Sequence, residues 1–142
     1  MAFRGTFEFT LDAKNRLTIP SRYRPAFSDG VVVALGLEPC LGVWTPGDYE
    51  AWVDSVLAGR SPLGTEYRRL ERFFTANSHA TELDGAGRVM IPAPLMRRAN
   101  IEREVSLIGA PRRLEVWDRE TWAAYNEEAI ANIVETAAGL GD

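Results

Sequence analysis

An internal repeat constrains the fold of this chain more than any other feature. Residues 9–23 align with residues 81–95 at an offset of 72, and residues 31–52 align with residues 104–125 at an offset of 73. Because the similarity continues in order through both segments, the sequence predicts a tandem duplication of one small unit. The matched pairs include Leu11/Leu83, Asp12/Asp84, Arg16/Arg88, Ile19/Ile91, Pro20/Pro92, Gly36/Gly109, Leu41/Leu114, Val43/Val116 and Trp44/Trp117.

Each unit begins with the pattern of a strand, a polar turn and a short strand that ends at proline, which cannot donate to a sheet ladder. Asn15 and Gly87 share the turn position, and these residue types best tolerate a positive φ. Both halves are therefore expected to form a hairpin-like loop. The expected strands are 6–11 and about 78–83, the turns are centred on 13–15 and 85–87, and short helical pieces are expected over 21–26 and 94–99.

Helical patterns end each unit. Thr45 followed by Pro46 predicts a helix start, and Asp118 predicts a second one. A linking helix is expected over 65–76, and the absence of a Gly/Ser linker favours two units, 1–76 and 77–142, packed as one domain. The expected apolar faces are Tyr49, Trp52, Val53, Val56 and Leu57 in the first helix, Tyr67, Leu70 and Phe74 in the linking helix, and Trp122, Tyr125, Ala129 and Ile133 in the last. Some residues of the first face are expected at contacts between subunits.

Composition narrows the function classes. The net charge is −4, but residues 1–30 carry +2 and residues 115–142 carry −6. A basic face near the N-terminus is therefore compatible with nucleic-acid binding. Cys40 and His79 are the only cysteine and histidine, and no Walker, dinucleotide-binding or zincin motif occurs, so we expect no enzyme, metal or cofactor. The chain contains no apolar run long enough for a membrane span and no apolar signal segment, which indicates a cytoplasmic protein.

The segments LDAKNRLTIPSRYR, LDGAGRVMIP, ERFF and LIGAPRRLEVWD together resemble the MraZ family, one branch of the AbrB-like, swapped-hairpin bacterial transcription factors. The shared hallmark is a doubled Asp-x-x-x-Arg loop, met here by Asp12/Arg16 and Asp84/Arg88. The chain departs from the family at Asn15, where a glycine is usual. The resemblance implies an α/β fold: a double-repeat AbrB/MraZ-like β-barrel of short strands with flanking helices and an internal pseudo-twofold axis.

The resemblance also implies a function. It predicts a nucleoid-associated transcriptional regulator of the bacterial division and cell-wall gene cluster. Such a regulator forms a ring-shaped homo-oligomer, octamer-like, and contacts short direct repeats in double-stranded promoter DNA through its first-repeat loops. No membrane and no small-molecule substrate are implied as partners.

The candidate site lies in the two loops. Lys14 and Arg16 are expected to contact DNA rather than only to solvate a turn, because Arg pairs with guanine and Lys reaches bases or phosphates. Asp12 and Asp84, four residues before Arg16 and Arg88, are expected to brace the loops rather than to act as acid catalysts. The second loop has no lysine and ranks below the first. The candidate DNA-binding residues are Lys14, Asn15, Arg16, Arg4 and Arg88; Arg4, Arg22 and Arg24 either touch phosphates or solvate a face.

Two other functions stay open. A ring-forming protein scaffold could use the acidic C-terminal helix to recruit a partner. An antitoxin-type relative could repress its own operon, although such proteins usually carry one unit and dimerise. A preference for repeated operator DNA over random duplex DNA would distinguish the two DNA-binding hypotheses, the regulator and the antitoxin-type relative, from the scaffold hypothesis.

Overall fold

The computed structural model describes residues 2–140, so the last two residues of the second predicted unit lie outside the described residues. The strands are β1 (Thr6–Thr10), β2 (Arg16–Thr18), β3 (Val31–Leu35), β4 (Cys40–Trp44), β5 (Ser78–Thr81), β6 (Arg88–Met90), β7 (Glu104–Ala110) and β8 (Arg113–Asp118). The helices are α1 (Pro46–Leu57), α2 (Thr65–Ala76), α3 (Ala93–Arg98), α4 (Arg119–Ala131) and α5 (Ile133–Gly139), with a 3-10 helix over Ser21–Phe27.

The helix starts follow from local capping chemistry. The Thr45 hydroxyl accepts a hydrogen bond from the Asp48 backbone N–H at 3.2 Å, which satisfies one of the free donors at the start of α1. The Asp118 carboxylate accepts from the Thr121 N–H at 3.1 Å and caps α4 in the same way. Both predicted caps are confirmed, and α2 spans the predicted residues 65–76.

The strands of the two repeats interleave. The six-stranded sheet has the order β1-β7-β8-β4-β3-β5, and β2 pairs with β6 in a separate two-stranded sheet. The first strand of each repeat therefore bonds to the third strand of the other repeat: β1 to β7, and β5 to β3. The fourth strands, β4 and β8, pair at the centre. All of these pairs are antiparallel. If each strand is replaced by its equivalent in the other repeat, the same strand order results, read from the opposite edge of the sheet.

The expected β-barrel is not confirmed, since the strands of residues 2–140 form no closed barrel. The six-stranded sheet is open, because β1 and β5 each bond to a neighbour on one side only. The strands β2 and β6 bond only to each other and do not bridge those two edges. The α/β class is confirmed: an antiparallel sheet carries helices from both repeats.

Equivalent residues of the two repeats share one core. Leu11, Val43 and Val116 are buried in a single hydrophobic cluster, and Leu83 packs against it while half-buried. A second cluster, formed by Trp44, Tyr49 and Phe74 with partly buried side chains of α1 and α2, lies on the other face of the sheet. The apolar face of α1 packs against α2 of the same chain, while Trp52, Val53 and Val56 stay partly exposed. The expectation that some residues of this face contact a neighbouring subunit stays a prediction.

The C-terminal helix departs from its prediction. A single helix with Trp122, Tyr125, Ala129 and Ile133 on one apolar face was expected. Instead α4 ends at Ala131, Asn132 interrupts it, and Ile133 begins α5. Trp122 and Tyr125 both pack on Trp117, but Tyr125 remains 45% exposed and Ile133 is 56% exposed. Among the described residues, no helix covers α4 in the way that α2 covers α1, so the apolar spacing did not lead to full burial.

Among residues 2–140, no helix combines the length and the apolar character that crossing a membrane requires.

Candidate functional site

The first loop is organised by the Asp12 carboxylate. Its Oδ1 accepts hydrogen bonds from the backbone N–H groups of Lys14 and Arg16, both at 2.9 Å. Its Oδ2 accepts from the Arg16 Nε at 2.6 Å. Asn15 takes φ 57°, so the residue at the usual glycine position adopts the left-handed conformation that was expected. The carboxylate therefore holds the backbone of the loop and the Arg16 side chain together.

The second loop repeats this geometry. The Asp84 Oδ1 accepts from the backbone N–H groups of Ala86 and Arg88, both at 2.9 Å. The Arg88 Nε donates to Asp84 Oδ2 at 2.8 Å, and Gly87 has φ 76°. The four-residue spacing in the sequence thus produces the same carboxylate-centred turn twice.

The two loops form one composite site. The Ile19 N–H donates to the Gly87 carbonyl, and the Ile91 N–H donates to the Asn15 carbonyl, both at 2.9 Å. These bonds extend the β2–β6 ladder and hold the loops side by side. Across the join, Arg16 Nη1 lies 4.0 Å from Asp84 Oδ2, and Arg88 Nη1 lies 3.9 Å from Asp12 Oδ2. We call Asp12, Arg16, Asp84 and Arg88 the four-charge cluster.

Hydrogen bonding keeps both carboxyl groups ionised. The Arg16 backbone N–H, together with the Arg16 side chain and the Lys14 N–H, lowers the pKa of Asp12 from 3.8 to about 2. The Arg88 backbone N–H has the leading part in lowering the pKa of Asp84. At neutral pH the four-charge cluster therefore holds two negative and two positive charges, and its net charge is zero.

The net charge of the surface around the two loops depends on the cations beside the four-charge cluster. Lys14 is exposed at the tip of the first loop and has no carboxylate within ion-pair distance in the described part of the chain. Arg24 lies against the second loop, where its Nε donates to the Ile19 carbonyl at 2.9 Å. In the sequence, Arg24 is only one of several basic residues after the first loop, because a contact between repeats leaves no local signal.

Other predicted residues lie elsewhere. Arg4 precedes β1, whereas the first loop follows Thr10 at the other end of that strand. Roughly 20 Å of extended chain therefore separates Arg4 from the first loop. Arg22 lies over the Tyr23 ring, 5.7 Å from its centroid. Cys40 is buried in β4, and burial raises the pKa of its thiol to about 12. Within residues 2–140, no group of three or more Cys, His, Asp or Glu side chains is arranged to hold a metal ion.

Comparison with known proteins adds to this geometry. The sequence model of the family described as "MraZ protein, putative antitoxin-like" matches residues 2–64 and 74–140. The chain is 34% identical over 140 residues to "Transcriptional regulator MraZ" of Heliobacterium modesticaldum, covering 99% of this chain and 97% of that protein. It is 35% identical over 137 residues to the protein of the same name from Symbiobacterium thermophilum (96% and 99% covered). It is 39% identical over 130 residues to that of Spiroplasma kunkelii (91% and 90% covered).

Proposed function

The chain belongs to the MraZ family, and from that premise we propose that it is a DNA-binding transcriptional regulator without catalytic activity. Its target is double-stranded promoter DNA with short direct repeats, ahead of the division and cell-wall gene cluster. On this proposal the protein acts in the cytoplasm, associated with the nucleoid.

The observation that carries the proposal is the joined pair of loops. A carboxyl group that acts as a general acid or base needs a free oxygen near its substrate and a pKa near the working pH. Here Asp12 and Asp84 direct their oxygens into the loop backbone, and the pKa of each is lowered. This supports a bracing role. The braced loops present Arg16, Arg88 and the exposed Lys14 at one surface, as DNA contact requires.

Direct base contact is expected from Arg16. Its Nε is held by Asp12 and its Nη1 lies toward Asp84, so the outer edge of the guanidinium is already oriented. An oriented guanidinium loses little side-chain entropy when it pairs with a guanine. Lys14, by contrast, is unrestrained and suits a phosphate.

A single subunit provides too little charge for tight binding. Contacts with a few phosphates support only roughly 10⁻⁴ M affinity at physiological salt. Identical loops on adjacent subunits would raise the effective concentration of the second contact, with avidity gains of about 10²–10⁴. We therefore propose that the protein binds as a head-to-tail ring, and that several direct repeats are contacted at once.

The helices support such self-association. Ile133 and Val134 of α5 are 56% and 79% exposed. Residues 120–140 contain four glutamates and no basic residue, whereas residues 60–72 contain four arginines and two glutamates. The apolar and acidic C-terminal helices of one subunit thus complement the arginine-rich segment 60–72 of the next.

We also propose that units 1–76 and 77–142 are related by a pseudo-twofold axis and form one domain. The exchange symmetry of the strand order supports this relation. The axis would pass between β4 and β8 and between β2 and β6, where equivalent strands of the two units pair. Superposition of the backbones of the two units in an experimental structure tests it.

The experiment is a salt titration of DNA binding. The probes are duplex DNA from immediately upstream of the chain's own gene and a random duplex of equal length. Arg16→Ala should cost about 1–3 kcal/mol per engaged loop on the upstream duplex and reduce the preference over random DNA. Lys14→Ala should weaken binding to both probes and lower the salt slope by about 0.9 for each engaged loop.

Arg112→Ala is the matched control. Arg112 is exposed in the β7–β8 hairpin, at the end of the sheet away from Thr10 and the loops. Its loss removes one positive charge from the chain without touching the site. Wild-type binding by both loop variants would refute the proposal. A ring that binds neither probe would favour the scaffold function instead.

A further inference from the structure

The two loops differ in one charge. Lys14 stands at the tip of the first loop, and the equivalent residue of the second loop is Ala86. The hydrogen bonds of Asp12 and Asp84 to the backbone N–H groups of their own loops match in the two repeats. The second loop therefore has no residue of its own that corresponds to the Lys14 cation of the first loop.

A residue of the first repeat places a positive charge beside the second loop. Arg24 follows the first loop in sequence, but its side chain lies against the second. A Cβ placed on Gly87 would be 2.1 Å from Arg24 Nε and 2.5 Å from its Cζ, so the guanidinium rests directly on the glycine. The Ile19 backbone fixes both partners, since its N–H donates to the Gly87 carbonyl and its carbonyl accepts from Arg24 Nε.

The arrangement is not repeated at the first loop. The equivalent of Arg24 at an offset of 72 is Met96, which is 7% exposed and belongs to the hydrophobic core. One repeat thus has a cation where the other has a core side chain. This makes the Arg24 position a specific difference between the repeats and not a consequence of the shared fold.

Charge balance shows what Arg24 adds. The four-charge cluster sums to zero, so it contributes no net positive charge toward phosphates. Arg24 has no carboxylate within ion-pair distance in the described residues, and only its Nε is used within the chain. The remaining guanidinium nitrogens are free to donate. Lys14 is thus an uncompensated cation beside the first loop, and Arg24 is one beside the second.

We propose that Arg24 binds a DNA phosphate beside the second loop, as Lys14 does beside the first, so that each subunit contacts DNA with both loops. The inference rests on the proposed function, and it changes the expected ranking of the loops. Arg88 is then expected to contribute to DNA binding about as much as Arg16, because its loop also has a neighbouring cation.

The test compares three substitutions of Arg24. Arg24→Met introduces the residue of the equivalent position, Arg24→Gln removes the charge but keeps a donor for the Ile19 carbonyl, and Arg24→Lys keeps the charge. Lys14→Ala serves as the positive reference and Arg112→Ala as the control. Binding to the random and the upstream duplexes is measured across a salt series, with melting temperature and oligomer mass recorded for each variant.

We expect Arg24→Met and Arg24→Gln to lower the salt slope by as much as Lys14→Ala, about 0.9 for each engaged loop. Arg24→Lys should retain the wild-type slope. A wild-type slope for Arg24→Gln, while Lys14→Ala loses slope, would overturn the role of Arg24 and leave the proposed function intact. Equal loss of slope in Arg24→Lys and Arg24→Gln would also overturn it, because the charge would then not be the cause. Wild-type binding by Lys14→Ala and Arg16→Ala would instead refute the proposed function itself.

Discussion

At the scale of single residues, one carboxylate controls the shape of each loop. The Asp12 side chain accepts from two backbone N–H groups and one guanidinium nitrogen, so its ionised form is worth more in the folded chain than in water. Asparagine in its place would lose the charge and the acceptor for Arg16 Nε. The aspartate is therefore required for its acceptor geometry, and its acidity is a consequence of that geometry.

The first prediction concerns the titration of Asp12. Its pKa should be about 2 instead of the ordinary 3.8. Because folding lowers the pKa, the ionised carboxylate favours the folded state; this contribution is complete above the ordinary pKa and is lost as the pH falls through about 2. Carbon-detected NMR of the labelled carboxyl group measures the midpoint. A midpoint at or above 3.8 would mean that the loop hydrogen bonds do not form in solution.

The second prediction concerns Gly87. Gly87→Ala should destabilise the fold by about 1–2 kcal/mol because of its positive φ, and by more because the methyl group meets Arg24. Gly87→Asn introduces the residue found at the equivalent position 15, which tolerates a positive φ. Its loss of stability therefore measures the collision of the new side chain with Arg24 alone. Urea denaturation gives the free energies of unfolding. Arg24→Ala in the Gly87→Ala background should recover the collision part; simple additivity of the two changes would contradict the contact.

At the scale of elements, the sequence predicted most boundaries, because caps and turns are local. Thr45, Asp118 and the left-handed Asn15 are recognisable from a few neighbouring residues. The β-barrel is not confirmed, and the C-terminal helix is interrupted at Asn132. Barrel closure and helix packing depend on what lies across from an element, which local sequence patterns do not record. The contact between Arg24 and Gly87 was invisible for the same reason: the two residues lie far apart in the chain and meet through the ladder that joins the loops.

Strand register shows a smaller error. The alignment matched residues 31–52 to 104–125 at one offset throughout. Val33 lies opposite Val43 and Leu107 lies opposite Val116. Since Val43 and Val116 are equivalent, the counterpart of Val33 is Leu107, at an offset of 74, and not Ser106. The β3–β4 hairpin therefore holds one residue more than the β7–β8 hairpin, and sequence similarity alone placed that residue wrongly.

The third prediction belongs to α5 and α2. Replacing Ile133 and Val134 together by serine should reduce the oligomer mass, because their exposed side chains are expected to bind the next subunit. Arg69→Glu in α2 should do the same by reversing the charge of the receiving segment. Light scattering at matched concentrations gives the mass. Leu37→Ser, at a side chain that is 66% exposed in the β3–β4 hairpin, and Arg112→Glu are the controls. An unchanged mass in both test variants would contradict the proposed contact.

At the scale of the whole molecule, the interleaved strands make each repeat dependent on the other. The strand β1 bonds only to β7, and β5 bonds only to β3. Each half alone would leave its first strand unpaired and expose the shared core. A unit with so few short strands falls below what a stable sheet requires.

The fourth prediction follows from this dependence. Separate fragments 1–76 and 77–142 should show no cooperative thermal transition, while an equimolar mixture should regain the spectrum of the intact chain. Circular dichroism and two-dimensional NMR follow the recovery. An intact chain diluted to the same concentration is the control. A cooperative transition in either fragment alone would show that the repeats are independent domains.

The unequal partners of the two loops have a consequence for orientation. In a dimer of identical single units, every side chain would occur at both loops, and the pair would read the same in either direction along a duplex. Here Arg24 lies beside one loop while its equivalent, Met96, is buried in the core. The joined loops consequently have a front and a back. If the loops bind DNA as proposed, this polarity would let the protein distinguish the two directions of a DNA helix and prefer repeats that all have the same orientation.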